Sequence, residues 1–251
     1  PEKWNVFIRD KIKQLNEKYD EKADPIPVLP YQIKVEEIKE FVKSLDKLPV
    51  GIYKDSLNLA IYNFKSNLVN LISAKNIEVA TEYVTHLYEE LKLLEDIDVT
   101  VFDAEGIVQT ASKNIKLDYQ NYSLRIQNNI SKSKYNVCII VGIDKFLINI
   151  EKEILSDLRK AEELKNYTFI VVDSVFKLKN HEYDDWYKAY ITKDSGIWVG
   201  NGVADQYLIR MNTSARNLVN NCGESFGYLI KQEEAKLIKL IGMKDAGEKN
   251  G

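Results

Sequence analysis

The chain has 251 residues, a formal net charge of −3, and 45% hydrophobic and 29% charged residues, an ordinary globular composition. Its basic residues are spread along the chain without a stripe that would neutralise a phosphate backbone, so a nucleic-acid partner is not expected. Two cysteines without a CxxC pair give no zinc or redox signature, no apolar run is long enough to cross a bilayer, and no signal peptide opens the chain.

Residues 1–24 are polar and rich in Lys and Glu, with Trp4, Phe7, Ile8 and Ile12 at helical spacing. They read as a linker or amphipathic helix. Pro25, Pro27 and Pro30 then favour an extended stretch. Residues 35–43 read as a short helix. From Leu48 the pattern alternates, giving strands at 57–61 and 68–72. The second runs into a helix over 76–94. Strands follow at 99–102 and 137–141. The latter is a near-continuous apolar run, as expected for a strand covered on both faces, and Cys138 inside it reads as a buried small hydrophobe. A helix is predicted over 149–165, and strands at 169–172, 197–199 and 228–230. The polar stretch 244–251 reads as a disordered tail. No internal repeat is visible, so residues 25–243 read as one domain. Strands alternating with helices imply an α/β fold with a mostly parallel sheet and helices on both faces.

Several segments in order resemble an FtsK/SpoIIIE-type, RecA-like ATPase. They are Ile26-Pro-Val-Leu-Pro30, then Leu48-Pro-Val-Gly51, then the strand at 68–72 where a phosphate-loop strand belongs. Ile197-Trp-Val-Gly-Asn-Gly-Val-Ala-Asp-Gln206 and Cys222-Gly-Glu-Ser-Phe-Gly-Tyr-Leu-Ile230 are similar to the last module of type VII secretion coupling proteins of the EssC/YukB kind. The resemblance implies a RecA-like P-loop fold and a phosphate loop directly after Ile72.

A working loop needs glycines whose backbone N–H groups wrap the phosphates, a Lys, and a Ser or Thr for Mg²⁺. The stretch here is Ser73, Ala74, Lys75, Asn76, Ile77, Glu78, Val79 and Ala80. It has no glycine. Aligned without gaps, Val79 takes the Lys position and Ala80 the Ser/Thr position, while Glu78 brings a negative charge. Lys75 substitutes only in a shortened loop. The metal-holding acid is also missing, because the strand at 137–141 ends in Gly142 and Ile143, and Asp144 comes two residues late. Asp103 and Glu105 end a competing strand but read as turn acids. No bound cofactor is therefore expected, and ATP with Mg²⁺ enters only if an atypical loop works.

The remaining candidates each have a plainer reading. His86 is a lone helical histidine. His181 with Glu182, Asp184 and Asp185 is a metal cluster or a solvated acidic turn. Trp186, Tyr187, Tyr190 and Trp198 line a groove for a peptide helix, or pack the core. The resemblance implies a module that recognises WXG100-type secreted substrates or their signal peptides and couples them to the export motor. It also implies neighbouring ATPase modules in the same chain, a hexamer in the full-length complex, and a place at the cytoplasmic face of the cell membrane. Two alternatives stand beside it: an active ATP-hydrolysing motor with an atypical loop, and a DNA translocase module that the charge disfavours.

Overall fold

The structure is a computed structural model that describes residues 28–108, 134–150 and 153–245. The linker or helix expected at 1–24 and most of the tail expected at 244–251 lie outside the described residues. The strands are β1 Leu48–Tyr53, β2 Leu59–Tyr62, β3 Val69–Ala74, β4 Ile97–Asp103, β5 Tyr135–Val141, β6 Tyr167–Ser174, β7 Gly196–Val199, β8 Phe226–Lys231 and β9 Glu234–Leu240. The helices are α1 Val35–Ile38, α2 Ile77–Leu91, α3 Ile143–Ile150, α4 Ile154–Leu164, α5 Val175–Lys179 and α6 Asp185–Tyr190. No helix among the described residues is long and apolar enough to cross a membrane.

All these strands join one sheet in the order β2-β1-β9-β8-β7-β3-β6-β5-β4. Its parallel part runs from β7 through β3, β6 and β5 to β4. The other pairings, β7–β8, β8–β9, β9–β1 and β1–β2, are antiparallel. This corrects the expected RecA-type, mostly parallel sheet: the sheet is mixed, with as many antiparallel as parallel pairings. Two of the antiparallel pairings, β1–β2 and β8–β9, are hairpins. β8 and β9 are joined by Gln232 and Glu233, both at positive φ, which is how a tight hairpin turn matches strand twist. β1 carries Pro49 at an irregularity in its pairing with β2, and pairs with β9 only from Gly51 onward. Proline is tolerated there because no ladder bond to β9 is required of it.

The parallel strands divide their side chains between two cores, as the two-residue period demands. Ile72, Val101, Ile139, Val141, Ile170, Val172, Ile197 and Val199 face α2. Leu71, Phe102, Cys138, Ile140, Phe169, Val171 and Trp198 face the layer of α3 to α6. β6 is buried along its whole length, which explains its β-branched, aromatic sequence. Asn76, in extended conformation, precedes α2, which buries Ala80, Tyr83, Val84, Leu87 and Leu91, the spacing of one helical face. The single helix expected over 149–165 is instead two helices. α3 already begins at Ile143, because Gly142, at φ 76°, turns the chain straight off β5.

Candidate functional site

The carboxyl ends of the parallel strands are where open α/β sheets place ligands. β3 delivers Ser73 and Ala74 there, and both are buried. Ser73 donates its hydroxyl to the Asp173 carbonyl, 2.9 Å away. Only Lys75 and Asn76 then separate β3 from α2. Ile77, Glu78, Val79 and Ala80 form the first turn of the helix, and Ala80 points into the core. The connection is thus a two-residue turn, too short to fold around a phosphate chain.

A cleft of about 320 Å³ opens at this turn, lined by Ala74, Lys75, Asn76, Val79, Val199, Asn201, Asn221 and Glu224. The far wall comes from two loops distant in sequence, and these supply glycines at positive φ: Gly200, Gly202 and Gly223. Their N–H groups are already committed. Gly200 donates to the Phe226 carbonyl, Gly202 to the Asn220 carbonyl and Gly223 to Asn201 Oδ1. Their amides therefore give no phosphate cradle. Glu224 adds a carboxylate to the cleft, and Glu78 already complements the positive end of the α2 dipole. Glycine amides already bonded and a carboxylate in the lining do not fit a nucleoside triphosphate.

The expected metal-holding position is also engaged elsewhere. β6 lies between β3 and β5. Gly142 is a tight turn and Ile143 is buried. The Asp144 amide donates to Asp173 Oδ2 at 3.3 Å, and Asp144 Oδ1 lies 3.1 Å from His181 Nε2. The other ring nitrogen of His181 sits 2.7 Å from Asp184 Oδ2, which also accepts the Trp186 indole N–H. His181 therefore ties α3 to the turn before α6. Among the described residues no group of three or more His, Cys, Asp or Glu side chains is placed to hold a metal ion.

Asp173, at the end of β6 beside Ser73 in the sheet, was not among the sequence candidates. Burial pushes its carboxyl up to about 6, against the bonds it accepts from the Ser174 and Asp144 amides. Its signal was readable, since the apolar run at 169–172 ends in an acid. Asp103 accepts bonds from the Glu105, Gly106 and Val108 amides, as a turn acid does. Glu105 pairs with Lys177 at 2.7 Å and Lys145 at 3.5 Å. The hydrogen bond from Lys177 holds it below the ordinary carboxylate range.

The four aromatic candidates do not line an open groove. Trp186, Tyr187 and Trp198 are 3%, 1% and 1% exposed, within the core on the α3–α6 face of the sheet. Only Tyr190 reaches the surface, where its hydroxyl donates to Glu162. His86 packs its ring against Gly242, and burial lowers its pKa.

No family model matches the chain, and no curated protein sequence matches it. Solved structures do match. The cytoplasmic domain of EssC superposes with a TM-score of 0.63 at 16% identity, over 94% of this chain and 52% of that one. The fold is that of the EssC-type cytoplasmic domains. EssC ATPases 2 and 3 from Geobacillus thermodenitrificans give a TM-score of 0.63 at 16% identity, over 94% of this chain and 50% of that one. EccC ATPases 2 and 3 from Thermomonospora curvata, in complex with a signal sequence peptide, give 0.60 at 12% identity, over 89% and 45%. The chain therefore spans about half the length of these structures.

Proposed function

We propose that this chain is an ATPase-fold module of a type VII secretion coupling protein, and that it recognises secreted substrates without turning over ATP. The observation that carries this reading is the two-residue turn Lys75-Asn76 between β3 and α2, facing glycines whose amides are already bonded. A sheet stabilised by burial on both faces keeps its shape without nucleotide. The EssC-type fold and the EccC relative that holds a signal sequence peptide support the substrate class. On this reading residues 25–243 are the module, with 1–24 as a linker and 244–251 as a tail. The parent places it at the cytoplasmic face of the membrane, among sister modules that hydrolyse ATP, in a hexameric assembly. The substrates are WXG100-type proteins.

A labelled signal peptide of such a substrate, titrated into the protein, is expected to bind saturably with a Kd of micromolar or weaker, about −8 kcal/mol or less in magnitude. No binding to this chain or to its assembled parent contradicts the proposal. The second reading, an ATP-binding module with an atypical loop, rests on Lys75, which stands exposed at the mouth of α2. It requires Mg²⁺-dependent nucleotide binding that Lys75 supports.

A further inference from the structure

Lys239 is 1% exposed in the middle of β9, a rare place for an ammonium group without a partner. Its neighbours Ile238 and Leu240 belong to the α2 core, so Lys239 points to the opposite face. There its Nζ lies 2.6 Å from Asp245 Oδ1, 3.4 Å from Ser225 Oγ and 4.8 Å from the centre of the Phe226 ring. Ser225 is also 1% exposed, and its hydroxyl donates to the same Asp245 oxygen. Lys54 Nζ stands 5.8 Å from the centre of the same ring. Two buried donors thus converge on one carboxylate, and the Phe226 ring flanks the ammonium group. What fills the site shows which chemistry it takes.

That carboxylate stands in the segment that follows β9. Met243 is buried, and with the Gly242 amide, which donates to the Ile33 carbonyl, it anchors the segment after β9. Beyond it Lys244 is exposed and the Asp245 side chain is 41% exposed. Asp245 is held by its carboxylate and by the bond from the Tyr31 hydroxyl to its carbonyl. Burial works against its charge, yet the bonds from Lys239 and Ser225 hold its pKa below the usual carboxylate value. Two residues past that buried anchor, Asp245 lies outside every strand of the sheet. Without Asp245, the Lys239 ammonium group would lose the carboxylate that neutralises it.

We propose that Lys239, Ser225 and Phe226 form a carboxylate-binding site that Asp245 fills in cis, and that an aspartate or glutamate side chain of a protein partner replaces Asp245 there. The site adjoins the β3–α2 cleft, since Glu224, which lines that cleft, precedes Ser225. The proposal does not depend on which substrate the module serves.

The test is chemical rescue. Asp245→Ala lowers the melting temperature, and tens of millimolar sodium acetate restores most of the loss, whereas equal sodium chloride does not. The double variant K239M/D245A regains stability, because a buried methionine needs no counter-charge, and it ignores acetate. A fluorescein-labelled penta-aspartate peptide binds D245A about tenfold tighter than wild type, which is about 1.4 kcal/mol, and does not bind K239M/D245A. Should D245A stay unfolded without acetate, folding on acetate but not on chloride supports the proposal equally. Acetate and chloride acting alike, or peptide binding indifferent to Asp245 and Lys239, overturns the proposal.

Discussion

Trp198→Ala is expected to cost about 3–5 kcal/mol of stability, a fall in melting temperature of roughly 6–20 °C for a chain of this size. Trp198 is the largest of the fully buried side chains. It lies on β7, with its ring in the core that also holds Trp186 and Tyr187. Its indole N–H donates to the Gly200 and Asn201 carbonyls, each at 3.2 Å. Truncation opens a cavity in that core and leaves those carbonyls short of a donor. Were Trp198 a groove residue, the same change would weaken peptide binding and leave stability within about 0.5 kcal/mol. Calorimetric melting of the variant, alongside a binding titration, separates the two. An unchanged melting temperature contradicts the placement of this ring.

Gly227→Ala is expected to cost about 3 kcal/mol or more, or to prevent folding. Gly227 lies in β8 opposite Val199 of β7. A Cβ there would stand 2.3 Å from the Trp198 carbonyl oxygen and 3.1 Å from a Leu240 methyl. The first obstacle is backbone of the neighbouring strand and cannot swing aside. Gly223→Ala provides the contrast. Its φ is 90°, but nothing lies within 4 Å of the added methyl. Only backbone strain opposes it, worth about 1–2 kcal/mol. Urea unfolding of both variants is expected to rank Gly227→Ala well below Gly223→Ala. Equal losses would mean that β7 and β8 are not this closely joined.

The parallel half of the sheet was legible because β5 and β6 are apolar runs rich in β-branched residues and buried over nearly their whole length, and helices follow β3, β5 and β6. The antiparallel half was legible only in part: β2 and β8 were expected as strands, whereas β1 and β9 were hidden by local chemistry. Pro49 disguises β1 as loop. The β8–β9 hairpin turns on Gln232 and Glu233, which carry positive φ without the Asn or Gly that usually announces it. Lys239 hid β9 further, since a buried lysine breaks the alternation. At the candidate site, the absence of glycine from 73 to 80 was readable. The shortness of the β3–α2 turn was nearly readable as well: a strand at 68–72 and a helix over 76–94 leave three residues between them, and the structure leaves two. The opposing wall was not readable, because Asn201, Asn221 and Glu224 reach the cleft from loops over a hundred residues away. The aromatic cluster misled for a simple reason: spacing shows that side chains share a face, but not whether another layer covers it.

A recognition scaffold without a phosphate cradle at the β3–α2 turn has one direct test. The protein is titrated with a fluorescent ATP analogue, with and without Mg²⁺, and the titration is repeated on Lys75→Ala. No saturable signal is expected up to about millimolar nucleotide, weaker than about −4 kcal/mol, and no difference between wild type and variant. Saturable, Mg²⁺-dependent binding in the micromolar range that Lys75→Ala abolishes would contradict it.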